Sequence, residues 1–229
     1  MDLLNMDNLR HNMDQTCIIW DWNGTLLDDV DAAVNALNRM LGARGVPPTT
    51  RDYYRGHFGF PVRPFYAELG VDLEHEDWDR ICVDFHRFVE KEPKRLRPDA
   101  REALTLAAQF GMRQFVLSAL REDLLKRDMA AAGIDSFFEA IFGVDNLDGA
   151  TKLDRGRDLV RHLSAAKEKT PPRMICVGDT LHDAEVAQAL GAQCILVDGG
   201  HQTAERLAAA GVPVTSSLTA AVRHIAAGD

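Results

Sequence analysis

The stretch Cys17–Thr25 (CIIWDWNGT) decides the fold. Its first four residues form a short apolar run that is typical of a buried β-strand. Asp21 follows this run directly, and Asn23 with Gly24 forms a turn-prone pair. Parallel α/β sheets carry their functional groups just beyond the carboxyl ends of their strands. We therefore expect Asp21 to lie at the carboxyl end of a central strand.

Further short apolar runs follow along the chain, and most are separated by segments with helical periodicity. They are Phe115–Leu117, Ala140–Phe142, Met174–Val177 and Cys194–Val197. Strands that alternate with helices favour parallel pairing through right-handed crossovers. The predicted fold class is α/β, with a doubly wound, Rossmann-like parallel sheet of about five strands in the order 5-4-1-2-3.

The interval after the first strand breaks this alternation, because its apolar pattern is helical throughout. We interpret residues 30–97 as an inserted α-helical cap domain over the active edge of the sheet. The remaining residues, 16–29 and 98–229, are assigned to the α/β core domain. Residues 1–15 are polar and form an N-terminal lead-in.

Composition limits the classes of function. The 229 residues carry a formal net charge of −9, which argues against nucleic-acid binding because phosphate backbones need a basic face. No apolar run is long enough to span a membrane. The four cysteines show no C-x-x-C spacing, so we expect a cytoplasmic protein without structural zinc. Either a monomer or a homodimer is compatible with the sequence.

Polar residues follow several of the predicted strands. Besides Asp21, they are Ser118, Lys152, Asp179 and Asp183. Three carboxylates at one sheet edge would repel each other unless a cation neutralised them, and oxygen ligands of this kind suit Mg²⁺. Ser118 and Lys152 would supply a hydroxyl and a cation for the oxygens of a phosphoryl group. A carboxylate oxygen of Asp21 could then attack phosphorus in line.

With these residues in this order, the chain resembles the haloacid dehalogenase superfamily, in its phosphoglycolate-phosphatase-like branch. The resemblance covers the chain after about residue 16 and implies the following roles. Asp21 matches the nucleophile, Thr25 and Ser118 match phosphate-binding residues, and Lys152 matches the lysine of the third motif. Asp179 and Asp183 match the acids that hold magnesium together with Asp21 and the backbone carbonyl of Asn23. Asp28 matches the acid just beyond the first motif.

Asn23 departs from the family pattern, which has a second Asp at this position as general acid and base. An amide cannot exchange a proton at useful pH, so turnover would lack help that is typically worth about 10²–10⁴-fold. A substrate with a good leaving group, such as an acyl phosphate, would need less help. His57 or His182 could substitute, or deamidation of the Asn23-Gly24 pair could restore an Asp.

The DWNGT stretch is also close to the first motif of phosphonoacetaldehyde hydrolases, which lack the second Asp. Those enzymes need a cap lysine that forms a Schiff base with the substrate. Residues 30–90 contain no lysine, and Lys91 and Lys94 lie in the predicted return linker. An arginine cannot take this role, because it does not lose its proton. Cleavage of a C–P bond is therefore ranked low.

Substrate selection should fall to the cap. The segment Arg55–Arg63 (RGHFGFPVR) contains Gly, Pro, aromatic and basic residues, as loops that reach into a cleft often do. Arg55, His57 and Arg63 would suit an anionic or hydroxylated leaving group. In the alternative interpretation the aromatic residues pack the core of the cap and the basic ones are solvated. The sequence leaves both interpretations open.

The sequence as a whole predicts a magnesium-dependent hydrolase that removes a phosphoryl group from a small phosphorylated metabolite through an aspartyl-phosphate on Asp21. The alternative is a phospholigand-binding relative with impaired catalysis, because Asn23 stands where the family has its general acid and base.

Overall fold

The strands of the computed structural model, which describes residues 15–145, 152–165 and 172–228, form one parallel sheet in the order β3-β2-β1-β4-β5-β6. The strands in chain order are β1 (Thr16–Trp20), β2 (Arg113–Arg121), β3 (Ala140–Val144), β4 (Arg173–Gly178), β5 (Gln193–Val197) and β6 (Val214–Thr215). The fold class and the order of the first five strands are confirmed. The short strand β6 was not predicted, because two residues are too few for an apolar pattern.

The strand β1 lies in the middle of the sheet, paired in parallel with β2 on one side and β4 on the other. Its side chains are buried on both faces: Ile18 and Trp20 join one hydrophobic cluster, and Cys17 and Ile19 join the other. A strand covered on both faces reads as a continuous apolar run, which explains the CIIW stretch.

Helices cover both faces of this sheet. The first cluster includes side chains of α5 (Ala100–Gln109), α6 (Glu122–Ala132) and α10 (Leu218–Ala227). The second includes those of α7 (Lys152–Ala165), α8 (Leu181–Leu190) and α9 (Ala204–Leu207). This double covering is the doubly wound arrangement, with its site expected at the carboxyl edge of the strands.

The segment of residues 30–97, called the cap segment below, is helical and has a hydrophobic cluster of its own. Its helices are α1 (Val30–Gly42), α2 (Arg51–His57), α3 (Val62–Glu68) and α4 (Trp78–Val89). The side chains of Thr50 and Asp77 cap the amino ends of α2 and α4. Phe65 and Tyr66 are buried in the cluster, as the packing interpretation expects.

The chain enters and leaves the cap segment through two neighbouring connections. The amide of Asp28 donates to the carbonyl of Arg95 at 2.8 Å, and the amide of Arg97 donates to that of Leu26 at 2.9 Å. Leu27 and Leu96 form an antiparallel bridge between them. The two connections are therefore held together close to Asp21. The domain boundaries at residues 29 and 97 stay a prediction.

The predicted N-terminal lead-in lies outside the described residues except for Gln15, whose carbonyl accepts from the amide of Arg173 at 2.9 Å. In the parts of the chain that the structure describes, no helix combines the length and the apolar character needed to cross a membrane.

Candidate active site

Three carboxylates meet at the carboxyl edge of the sheet. Asp21 follows β1, Asp179 follows β4, and Asp183 lies in the first turn of α8. One carboxylate oxygen of each lies within 4.8 Å of the others. Residues far apart in sequence thus converge, because β1 and β4 are neighbouring parallel strands.

The ammonium group of Lys152 bridges two of these carboxylates. The Nζ atom lies 2.6 Å from Oδ1 of Asp21 and 2.6 Å from Oδ1 of Asp183, and the lysine is buried. Burial alone would lower the pKa of the lysine, but the charges of Asp183 and Asp21 raise it well above its ordinary value. Lys152 is therefore charged at any physiological pH.

One lysine does not neutralise three carboxylates. Burial, together with the charges of Asp183 and Asp179, raises the pKa of Asp21 to about 7 despite Lys152. Burial and Asp183 likewise raise the pKa of Asp179 to about 6. The pKa of Asp183 stays below its ordinary value, because Lys152 and Thr180 outweigh the effect of burial. The trio thus lacks positive charge at neutral pH.

The donor chemistry of this trio fits a divalent cation. Hard carboxylate oxygens that face one point are the ligands of Mg²⁺ in proteins, and a cation would supply the charge that the trio lacks. Glycines make room for the ligands: a Cβ atom at Gly24 or Gly200 would collide with Oδ2 of Asp179, and one at Gly178 with Asp183. Gly24 also has a φ of 73°, a conformation that L-residues rarely adopt.

The two hydroxyl residues predicted to bind phosphate lie at the same edge. Ser118, on β2, is buried and lines the cavity above the carboxylates, and its Oγ accepts from the amide of Leu120 at 3.1 Å. Thr25 is also buried, and its hydroxyl donates to Oδ1 of Asp179 at 2.8 Å. In this arrangement the Thr25 hydroxyl orients a carboxylate.

Asn23 lies beside Asp21 at the cavity, and its amide is already engaged. Its Nδ2 donates to Oδ2 of Asp29 at 2.6 Å, while Oδ1 of Asp29 accepts from the amide of Gly24 at 2.7 Å. Burial would raise the pKa of Asp29, but His201, Asn23 and Gly24 hold it below its ordinary value. An ionised carboxylate thus fixes the orientation of the amide.

His201 completes this network, and the sequence interpretation missed it. The buried ring places Nε2 at 3.2 Å from Oδ1 of Asp29 and Nδ1 at 2.9 Å from the hydroxyl of Tyr54 on α2. Its backbone amide donates to Oδ2 of Asp179 at 2.6 Å. The available signal was a Gly-Gly-His sequence just beyond β5.

The histidine is held in its charged form. Burial lowers the pKa of His201, but Asp29 and, more weakly, Asp179 and Asp21 raise it to about 9. With the ring protonated, Nε2–H donates to Asp29 and Nδ1–H to the hydroxyl of Tyr54. Both ring nitrogens are then occupied, so the ring links the cap segment to the core.

The three basic cap residues do not line the cavity. Arg55 donates to the carbonyl of Gly200 at 2.8 Å and to Asp198 at 2.9 Å. His57 stacks on Tyr53, with ring centroids 4.0 Å apart, and its Nδ1 lies 2.5 Å from Glu68. Arg63 lies over the ring of Trp78, 5.7 Å from its centroid. This placement does not support the prediction that they contact the leaving group.

The other side chains considered as substitutes also lie outside the cavity lining. His182 stacks on Phe60 and lies 3.3 Å from Glu185. Lys94 pairs with Asp128 on the core, as a residue of the return linker. Neither position provides a proton donor or a Schiff-base lysine next to Asp21.

Comparison with known proteins agrees with this arrangement. A family model of haloacid dehalogenase-like hydrolases matches residues 18–197. This chain belongs to that family.

Within the family, the chain is phosphoglycolate-phosphatase-like. It is 27% identical over 201 residues to the phosphoglycolate phosphatase of Caulobacter vibrioides, covering 83% of this chain and 82% of that protein. It is 25% identical over 210 residues to that of Chromobacterium violaceum, covering 88% and 92%. The fold is also similar to a crystal structure described as a predicted phosphatase from Clostridium acetobutylicum, with a TM-score of 0.75 and 18% identity over 92% of this chain and 97% of that one.

The His201–Asp29 pair predicts a pH-dependent contribution to stability. Because the pKa of His201 in the folded state is about 9 and its ordinary value is 6.5, the pair stabilises fully below pH 6.5. That contribution is lost as pH rises through about 9. Between pH 6 and pH 9.5, the difference in free energy of unfolding between the wild type and His201→Gln should therefore fall by about 3 kcal/mol.

Urea denaturation in a chelating buffer at both pH values measures this difference. His75→Gln, at an exposed position of the cap segment, is the matched control and should change the free energy of unfolding little at either pH. A difference for His201→Gln that stays constant or grows with pH would contradict the assignment.

Proposed function

We propose that this protein is a phosphatase that removes a phosphoryl group from a small phosphorylated metabolite through Asp21, with Mg²⁺ as its cofactor. The main support for this proposal is that carboxylate oxygens of Asp21, Asp179 and Asp183 lie within 4.8 Å of one another. Lys152 binds two of these carboxylates. The similarity to the phosphoglycolate phosphatases of Caulobacter vibrioides and Chromobacterium violaceum supports a phosphatase within the family of haloacid dehalogenase-like hydrolases.

The metal would be held by the carboxylates of Asp21, Asp179 and Asp183 and by the backbone carbonyl of Asn23. When bound, Mg²⁺ would supply the positive charge that keeps these carboxylates ionised and would draw electron density from the phosphoryl oxygens.

The reaction begins on Asp21. Lys152 holds Oδ1, so Oδ2 is the oxygen that attacks phosphorus in line. The P–Oδ2 bond forms, the bond to the leaving oxygen breaks, and that oxygen leaves with the electron pair. Water then attacks the aspartyl-phosphate, which releases inorganic phosphate and restores the carboxylate. Lys152 and the hydroxyl of Ser118 neutralise and orient the phosphoryl oxygens, and Thr25 keeps Asp179 in place.

Asn23 determines which leaving groups suit this site. Its amide donates to Asp29 and holds no titratable proton, so the leaving oxygen receives no proton from this side chain. His57 and His182 lie outside the cavity, and both ring nitrogens of His201 are bound. His86 lines the cavity from α4 of the cap segment, not from the floor that holds Asp21. Leaving groups of low pKa, such as phenols or carboxylates, need no proton from Asn23 and are therefore the ones that the site handles best.

The cap segment selects the remainder of the substrate in this proposal, as a domain that spans residues 30–97 between the two parts of the core. The network from Asn23 through Asp29 and His201 to Tyr54 would set its closed position over the phosphoryl group. A cytoplasmic location and a monomeric or homodimeric state stay predictions.

Replacement of the nucleophile should abolish turnover. Asp21→Asn removes the attacking charge while Lys152 keeps its partner Asp183, so the protein should stay folded and hydrolyse 4-nitrophenyl phosphate no faster than background. Phosphate release with Mg²⁺ measures this. The matched control is Asp31→Asn, at an exposed acid in the first turn of α1, which should keep wild-type turnover. Activity retained in Asp21→Asn would exclude Asp21 as the nucleophile.

Magnesium should stabilise the protein more at pH 7.5 than at pH 5. The pKa values of Asp21 and Asp179 are about 7 and about 6, so at pH 5 the cation must displace protons from both. Ligand binding should raise the melting temperature by about 2–4 °C per kcal/mol. Thermal unfolding with MgCl₂, against NaCl of equal ionic strength, measures this. Asp179→Asn should lose the shift and Asp31→Asn, at an exposed position, should keep it. An equal shift in both variants would count against the site.

A second candidate function is a phospholigand-binding protein without efficient turnover, and the engaged amide of Asn23 favours it. In Asn23→Asp, a carboxyl group would face Asp29, and two close carboxyl groups share a proton, so one becomes an acid near neutral pH. A gain of about 10²-fold or more over an inactive wild type, across a panel of phosphate esters with Mg²⁺, would favour the binding protein. Comparable activity in both proteins would favour the enzyme.

A further inference from the structure

The cavity over the carboxylates has two unlike sides. Its floor, on the core, carries the acidic residues with Lys152 and Ser118. Its cap side is mostly apolar and aromatic, with Leu37, Tyr54, Phe58, Phe60, Phe85 and Val89, and it also includes one histidine, His86. The part of a substrate beyond its phosphoryl group would therefore meet hydrocarbon and ring surfaces.

The lysines and arginines of the cap segment lie outside the lining of the cavity. Arg44 binds Glu76 at 2.6 Å and Asp84 at 3.1 Å inside the cap segment. Arg55 binds the core loop beyond β5, and Arg63 lies over Trp78. No arginine is among the described residues that line the cavity.

The two cationic groups on the floor of the cavity already have acidic partners on the core. Lys152 lies between Asp21 and Asp183, and His201 lies against Asp29. A carboxylate on the leaving group would face a cap side that has no lysine or arginine among its described residues, and whose one histidine, His86, packs edge-on against the ring of Phe85. Burial of a carboxylate against such a surface is costly in a site with little water. The site therefore discriminates against a second negative charge.

The size of the cavity limits the group that it accepts. Its volume is about 160 Å³. An engineered apolar cavity of about 150 Å³ in another protein binds benzene. The rings of Phe58 and Phe60, 5.5 Å apart in an edge-to-face arrangement, offer the contacts that aromatic groups prefer. Because the phosphoryl group on the floor takes part of this volume, a leaving group no larger than a single ring or a short alkyl group matches the space that remains.

We infer that this site takes phosphate monoesters whose leaving group is apolar and about the size of one aromatic ring, rather than esters of small anionic acids such as 2-phosphoglycolate. The inference rests on the proposed function and specifies its substrate class. It agrees with the position of Asn23, because phenols leave without a proton more readily than alkanols do.

A matched set of esters tests this inference. Values of kcat/KM are measured with Mg²⁺ for phenyl, 4-methylphenyl and 4-carboxyphenyl phosphate, and for ethyl phosphate against 2-phosphoglycolate. The methyl group should raise kcat/KM about fourfold over phenyl phosphate. The carboxylate, of similar size, should lower it at least about tenfold, although it makes the phenol a better leaving group. Preference for 4-carboxyphenyl phosphate or 2-phosphoglycolate would overturn the inference.

Hydrolysis of any of these esters separates the inference from the proposed function. Phosphate release that depends on Asp21 supports the proposed function whatever the ranking. If no ester is hydrolysed, the proposed function fails, and calorimetric binding of phenylphosphonate against 4-carboxyphenylphosphonate decides the inference alone. Tighter binding of phenylphosphonate would support it, and equal or weaker binding would overturn it.

A charge placed on the cap side should reduce the preference for the methyl ester. Val89→Arg puts a cation at the lining of the cavity, so kcat/KM for 4-methylphenyl phosphate should fall at least about tenfold relative to 4-carboxyphenyl phosphate. Val83→Arg, at an exposed position of the same helix, is the matched control and should leave the ratio unchanged. An unchanged ratio in a folded Val89→Arg would contradict the inference.

If Val89→Arg does not fold, Phe85→Ala provides the test instead. It enlarges the apolar side, so the optimum should move from 4-methylphenyl to a larger ester such as 4-butylphenyl phosphate. The same optimum in Phe85→Ala as in the wild type would overturn the inference.

Discussion

The pairing of Lys152 with Asp21 and Asp183 is the interaction on which the site depends. Three carboxylates lie buried at one edge of a parallel sheet, and each ionised carboxylate makes the next harder to ionise. The Nζ atom of the lysine lies 2.6 Å from Asp21 and 2.6 Å from Asp183, and its charge keeps Asp183 ionised. The pKa values of Asp21 and Asp179 remain raised, so a further cation would stabilise their ionised forms. The sheet order, the first turn of α7 and the close-packed glycines all serve to bring these groups together.

A second network joins this charged floor to the cap segment. Asn23 is bound by Asp29, which is bound by His201, whose ring also meets Tyr54 on α2. The backbone of His201 holds Asp179 as well. One histidine thus contacts a proposed metal ligand, the residue that orients Asn23, and the cap segment. A continuous set of hydrogen bonds therefore connects the floor of the site to the cap segment.

Much of the fold and the floor of the site could be predicted, because they follow from local patterns. A buried parallel strand appears in the sequence as an apolar run. Asp21 and Asp179 each follow such a run, at the carboxyl end of a strand, where α/β proteins place their sites. His201 was missed because its partners, Asp29 and Tyr54, are distant in sequence, and a histidine in a glycine-rich loop gives no periodic signal. The prediction that Arg55 contacts the leaving group is not supported by the structure for the same reason. The carboxylate partner of Arg55, Asp198, is 143 residues away in sequence. Strand β6 was too short for any pattern to show.

The paired connections at Leu26–Asp28 and Arg95–Arg97 have a topological consequence. Since the chain departs from the core and returns at two hydrogen-bonded points, the ends of the cap segment lie side by side. The length of chain between them therefore does not enter the order or the register of the strands that carry Asp21 and Asp179.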